Sequence, residues 1–134
     1  MVVVAAPWEF GWNTPIKEVD LWKYPLRDFG VDHLAMCPVS GIKDSFVKEY
    51  ESVERIIEEY SHLPLIIVDE KGENDLESFS HPENALYLFG KTTGSVLGFA
   101  DRGTSLKITT PADKGLLWGH QAASIILYHR WRSQ

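Results

Sequence analysis

Phe89-Gly90-Lys91-Thr92 sets a glycine and a lysine directly behind the apolar run Ala85-Leu86-Tyr87-Leu88-Phe89. A glycine beside a lysine can cradle phosphate. A P-loop, however, also needs a glycine five residues earlier so that backbone amides can wrap the anion. That position is Ala85, inside an apolar strand-like run, which argues against a P-loop. No G-x-G-x-x-G fingerprint occurs. The five histidines (His33, His62, His81, His120 and His129) show no metal-ligand spacing, and Cys37 has no second thiol. No metal site is expected. Cys37 lies in an apolar run, which suits packing better than nucleophilic chemistry. A Ser-His-Asp constellation cannot be picked out, because its members meet in space and not in sequence. The informative stretch is the last fifty residues. Ala85 to Gly90 is a buried strand ending in glycine, and Ser105 to Pro111 is a strand running into proline. Leu116 to Tyr128 is an apolar helix with small residues at Gly119, Ala122, Ala123 and Ser124. This order can hold a nucleoside. Glycine admits a close backbone approach, loops at strand C-termini offer free amides and carbonyls, and small helix residues pack tightly on those loops. An ordinary βαβ unit closed by a tightly packed helix would show much of the same pattern.

The elements that must position these residues alternate. Val2 to Ala6 is a short β-branched run expected as a buried strand. Thr14-Pro15 has the form of an N-cap followed by an N1 proline, and Ile16, Val19 and Trp22 continue at helical spacing. Pro25 should end or kink this helix, since it lacks an amide and crowds the preceding turn. Gly30 is a plausible terminator ahead of a strand over His33 to Cys37. Asp44 is placed to cap a helix whose apolar stripe is Phe46, Val47, Tyr50, Val53, Ile56, Ile57 and Tyr60. Strands follow at Leu65 to Val68, Ala85 to Phe89 and Ser105 to Ile108. An acidic loop spans 69–84, a glycine-rich loop spans 90–103, and a final helix covers Leu116 to Trp131. Strands alternating with helices imply βαβ units, hence an α/β protein with a mostly parallel sheet flanked by helices.

The chain has 134 residues, 44% of them hydrophobic, which allows one domain over 1–134 with a substantial core. A single cysteine excludes an internal disulfide framework. No apolar run approaches the roughly 18 residues of a membrane span, and the apolar start lacks the basic flank of a signal peptide. A soluble, cytoplasmic protein is expected. The net charge of −6 argues against a general nucleic-acid binder. The charge is nevertheless uneven. Residues 1–84 carry 7 Lys/Arg against 17 Asp/Glu, whereas residues 85–134 carry 6 against 2. An anionic partner should meet the C-terminal part.

Taken together, Leu88-Phe89-Gly90, Ile108 to Pro111 and Leu116 to Tyr128 resemble motifs two and three of the SPOUT class, in particular its SpoU/TrmH-like RNA 2′-O-ribose methyltransferases. Asn13, Phe29-Gly30-Val31 and the strand toward Pro38 resemble motif one. The resemblance implies an α/β knot, with residues 116–131 passing through a loop around 85–103 in a deep C-terminal trefoil. It further implies an S-adenosylmethionine (SAM) pocket formed by Leu88, Phe89, Gly90, Gly94, Ile108, Thr110, Pro111, Leu116 and Leu117, a homodimer, and an RNA substrate (tRNA or rRNA) met by the basic C-terminal half. His120 is the candidate general base and Arg27 a second catalytic candidate. Arg27, Lys91 and Arg102 are candidates for phosphate contacts. The sequence departs from the family where Tyr24, Thr92 and Trp118 stand at its polar positions. Those departures leave open an inactive knotted relative that acts as a binding or assembly protein. An unrelated flavodoxin-like domain is the other alternative, but Pro7-Trp8-Glu9-Phe10 makes a poor phosphate loop after the first strand.

Overall fold

The structure, a computed structural model, describes residues 1–9, 15–91, 94–112 and 117–134, with backbone alone at Pro15 and Ile16. Seven strands form one sheet. They are β1 (Val2–Pro7), β2 (His33–Cys37), β3 (Val47–Glu49), β4 (Leu65–Val68), β5 (Asn74–Asp75), β6 (Ala85–Phe89) and β7 (Thr104–Lys107). The spatial order is β3-β2-β1-β6-β4-β7-β5, and every pairing is parallel. Strands paired on both sides and covered on both faces must be apolar throughout, which is why β4 reads Leu-Ile-Ile-Val and β6 Ala-Leu-Tyr-Leu-Phe with every residue buried.

Successive side chains leave a strand on opposite faces, and the core divides accordingly. Val4, Leu34, Ile66, Tyr87, Phe89 and Leu106 face helices α1 (Pro15–Asp28) and α3 (Gly119–Arg132). Val3, Ala5, Ala35, Cys37, Ile67, Leu86 and Leu88 face α2 (Val53–Glu59) and the turn that follows it. The expected strands are all found. The last one begins at Thr104 and ends at Lys107, one residue ahead of its expected span. Thr14, the expected cap of α1, lies outside the described residues.

Two expectations for the helices are corrected. Pro25 does not end α1, which runs on to Asp28. The missing amide would have bonded the Leu21 carbonyl, and Leu21 is exposed, so water can take that carbonyl. Burial of Val19, Trp22 and Leu26 on the other side holds the helix together. It ends at Gly30, which has φ +78°. The Gly30 amide donates to Arg27 and the Val31 amide to Leu26, each at 3.1 Å, as in a Schellman motif, with Val31 and Leu26 both in the core.

The single helix expected over 46–60 is instead a strand followed by a shorter helix. Phe46 to Tyr50 lies along the open edge of β2. There the Phe46 carbonyl accepts from the Leu34 amide and the Tyr50 amide donates to Met36, both at 2.9 Å. Pairing with a sheet edge satisfied backbone groups that a longer helix would have satisfied internally. Helix α2 starts at Val53 and is capped by Ser52, whose hydroxyl accepts from the Arg55 amide. Asp44 has a different task. It accepts from the Phe46 amide at 2.8 Å and pairs with Lys23 at 2.9 Å, which ties this segment to α1.

Candidate functional site

All strands being parallel, their C-terminal ends lie along one edge of the sheet. The chain leaves β6, passes over β4 and returns in β7 on its far side. At the ends of these three strands, under the start of α3, lies a cleft of about 590 Å³. Its size suits a small-molecule ligand. Val68, Asp69 and Glu70 come from the exit of β4. Phe89, Gly90, Lys91, Gly94 and Ser95 come from the loop after β6. Ile108 and Thr110 follow β7, and Leu117, Trp118, Gly119 and Ala122 open α3.

Close backbone approach makes this geometry possible. A Cβ on Gly119 would sit 2.9 Å from the Trp22 ring and 3.6 Å from the Gly90 carbonyl oxygen, so only glycine lets α3 start this near α1 and the β6 loop. The turn after β6 is closed by reciprocal bonds between Lys91 and Gly94. The Lys91 amide donates to Gly94 at 2.9 Å and the Gly94 amide to Lys91 at 3.1 Å. The first turn of α3 is held by the Gln121 side chain, which accepts from the Trp118 amide at 2.9 Å.

The residues singled out from the sequence are placed as follows. Phe89, Gly90, Gly94, Ile108, Thr110 and Leu117 all line the cleft. Leu88 does not, because strand alternation turns it to the α2 face, where it is fully buried. Pro111 is exposed beyond Thr110, and Leu116 lies outside the described residues. Arg27 is exposed in the last turn of α1, away from the cleft, where the Lys23 hydrogen bond, then the Phe46 amide and, least, the Arg27 charge hold the Asp44 carboxyl below its ordinary range. Arg102 stacks over the Phe99 ring, 5.6 Å from its centre.

His120 stands one residue past the cleft-lining Gly119. Its ring meets Trp22 and Trp118 edge-on at 6.1 and 5.5 Å, and its Nε2 is buried with no hydrogen-bond partner among the described residues. Burial lowers its pKa below the ordinary 6.5, against the nearby carboxylates of Glu18 and Glu9, which act to raise it. The imidazole is therefore neutral at pH 7 and able to accept a proton. Cys37 is the opposite case: burial pushes its thiol up to about 11, which leaves it an inert packing group.

Three acidic residues in or behind the cleft were not singled out from the sequence. Asp69 and Glu70 could have been suspected from their position just past a buried strand, where parallel sheets bind ligands. Glu18 carried no such signal. It is fully buried, and its carboxylate accepts two bonds from the Glu9 amide, at 2.8 and 2.9 Å, and one from the Trp22 indole at 3.1 Å. It thereby fixes the ring that backs Gly119 and His120. Among the described residues, no group of three His, Cys, Asp or Glu is gathered for a metal, and no helix is long and apolar enough to cross a membrane.

No family model and no curated protein matches the chain. Solved structures do, 61 chains in all. A structure concerned with 2-OH methylation of C/U34 on tRNA has a TM-score of 0.78 at 16% identity, over 98% of this chain and 89% of that one. The SpoU methyltransferase AviRb from Streptomyces viridochromogenes, in complex with AdoMet, has a TM-score of 0.76 at 16% identity, over 99% of this chain and 60% of that one. An AdoMet-bound rRNA methyltransferase from Sinorhizobium meliloti has a TM-score of 0.65 at 13% identity, over 98% of this chain and 56% of that one. The chain has the SpoU methyltransferase fold. Within that fold, the three positions at which the sequence departs from the SpoU/TrmH pattern fall apart. Tyr24 is exposed on α1, Trp118 lines the cleft, and Thr92 lies outside the described residues.

Proposed function

We propose that this protein binds SAM in the cleft at the ends of β4, β6 and β7 and methylates RNA, as a divergent SpoU/TrmH-type methyltransferase. The observation that carries the reading is that the cleft is assembled from three strand ends and a helix start in a fold shared with RNA methyltransferases, two of them holding AdoMet. Its make-up fits the ligand. Phe89, Ile108, Leu117 and Ala122 offer apolar surface to an adenine. Gly90, Gly94 and Gly119 expose backbone, and Asp69 and Glu70 place negative charge where a cationic ligand would lie. When bound, SAM supplies an electrophilic methyl group to a nucleophile held in line with it. Of the chain's own groups, neutral His120 would take the proton of an attacking hydroxyl. Lys91 at the mouth and Arg102 beyond it would meet phosphates of an RNA that approaches from the basic C-terminal half. Arg27, remote from the cleft, has at most a contact with the RNA backbone. In this reading the C-terminal segment threads the loop around 85–103 as the trefoil knot, the protein is a cytoplasmic homodimer, and RNA and SAM meet at the strand ends.

The second reading, a relative that binds without catalysing, is favoured by one observation. Trp118 fills a cleft position where the family resemblance puts a polar side chain. The two are separated by titration calorimetry with SAM and S-adenosylhomocysteine, followed by transfer of labelled methyl to total RNA. Binding with transfer that His120→Asn abolishes, at unchanged SAM affinity, supports the enzyme. Binding without any transfer supports the non-catalytic relative. No heat with either ligand at millimolar concentration sinks the enzyme and leaves an inactive relative, acting as a binding or assembly protein, as the better reading.

A further inference from the structure

The charge of the cleft mouth is unevenly built. Lys91 is the basic lining residue among those described, against Asp69 and Glu70. Glu70 is exposed, whereas Asp69 is half-buried and fixed from several sides. The Asp69 amide donates to the Leu106 carbonyl at 3.0 Å, which ties the exit of β4 to β7. Its Oδ2 accepts from the Lys71 amide at 2.8 Å. Its Oδ1 accepts from the Ser95 hydroxyl at 2.6 Å, and that hydroxyl in turn accepts from the Leu97 amide at 3.0 Å. One carboxylate thus latches the 94–97 rim onto the end of β4, and the latch holds its charge at a set place in the cleft wall. A carboxylate so held needs no reorganisation to face a cation.

We propose that Asp69 is a specificity-determining residue of the cleft, whose latched carboxylate favours a positively charged ligand over a neutral one of the same shape. The proposal rests on the SAM reading above and names what that reading leaves open. SAM carries a net charge of about +1 from its sulfonium, and S-adenosylhomocysteine is close to neutral with nearly the same shape, so the two ligands separate charge from fit.

The test is a matched pair of titrations with SAM and S-adenosylhomocysteine on the wild-type protein, Asp69→Asn and Ser95→Ala. Asn keeps an oxygen for Ser95 but loses the charge. It should weaken SAM relative to S-adenosylhomocysteine by about three- to tenfold, the effect of one charge at close range in a partly wet site. Ser95→Ala keeps the charge but frees the carboxylate, so it should also weaken SAM relative to S-adenosylhomocysteine, by less than Asp69→Asn does. If Asp69→Asn does not fold, salt gives the same discrimination in the wild type. Raising ionic strength from about 0.05 to 0.5 M should weaken SAM and leave S-adenosylhomocysteine unmoved. Equal changes for both ligands with Asp69→Asn, or equal salt dependence, overturn the inference while leaving the SAM site standing. Failure of the wild type to bind either ligand overturns the SAM reading itself.

Discussion

Gly90 and Gly94 look interchangeable in the sequence, as two glycines in one loop, yet the structure gives them different work. An added Cβ at Gly90 would lie 2.5 Å from the Gly94 carbonyl oxygen, inside the turn that closes the loop. At Gly94 a Cβ would have nothing within 4 Å, and the residue lines the cleft. Gly90 is therefore needed for the turn, and a side chain there breaks the loop before it meets any ligand. The pair makes a clean experiment. Gly94→Val should weaken SAM binding at least tenfold, roughly 1.4 kcal/mol, with the melting temperature unchanged. Gly90→Val should lower the melting temperature, and any loss of binding would follow from that. The reverse pattern, with a stable Gly90→Val that binds poorly and an unaffected Gly94→Val, would put the ligand against Gly90 and away from Gly94. Six of the site residues gathered here were legible because glycines, prolines and strand ends punctuate the sequence. The contact between Asp69 and Ser95 was not, since the two are distant in sequence and meet only because the connection from β6 to β7 passes over the end of β4.

At the scale of elements, the sheet was legible where strands are buried on both faces, because continuous apolar runs such as Leu65 to Val68 admit few alternatives. It was not legible at its edges. Residues 46–60 carry an apolar repeat at helical spacing, but whether Phe46 to Tyr50 coil or extend depends on the open edge of β2, which no local pattern reveals. The C-terminal end of α3 shows another contact of this kind. His129 Nδ1 bonds His81 Nε2 at 2.8 Å, and His81 Nδ1 bonds the Tyr87 hydroxyl at 2.7 Å. Beside them, Arg130 donates from Nη2 to the carbonyls of Pro82 and Glu83. The Phe79 ring closes the other side of His81, 5.0 Å away. Burial, then the positive fields of His129 and Arg130, lowers His81 from 6.5 to about 4. Between those values the unfolded chain binds the extra proton and the folded one does not, so stability rises with pH. The contribution is complete above pH 6.5 and is lost as pH falls toward 4. Urea unfolding across this window should show a falling midpoint in the wild type and a flatter one in His81→Gln. Parallel slopes would show that the histidine pair does not govern this end of α3.

On the whole molecule, α3 is the element whose surroundings are incomplete. Its inner face buries Ala122, Ala123, Ile126 and Leu127 against the sheet and α1. Its outer face is also apolar: Ile125 is 41% exposed, Tyr128 52% and Trp131 54%. A helix apolar on two faces is built for two partners, and the described residues cover one of those faces. The neighbouring α1 also exposes Leu21 and Tyr24. The aromatic groups are already ordered, with Phe29 edge-on to Tyr128 at 6.1 Å and Tyr128 5.8 Å from Trp131. Rings fixed in this way lose little entropy on being covered. An apolar outer face on a helix suits a self-complementary contact, in which α3 of one copy meets that of another about a two-fold axis. We therefore expect sedimentation velocity at micromolar concentration to show a dimer. Ile125→Glu combined with Tyr128→Glu should give a monomer, since like carboxylates would face each other where the rings had met. Both positions are solvent-facing in one copy, so the monomer should keep the far-UV spectrum of the wild type. A wild-type protein that sediments as a monomer at these concentrations would leave the outer face of α3 to some other partner and remove the dimer from the proposed function.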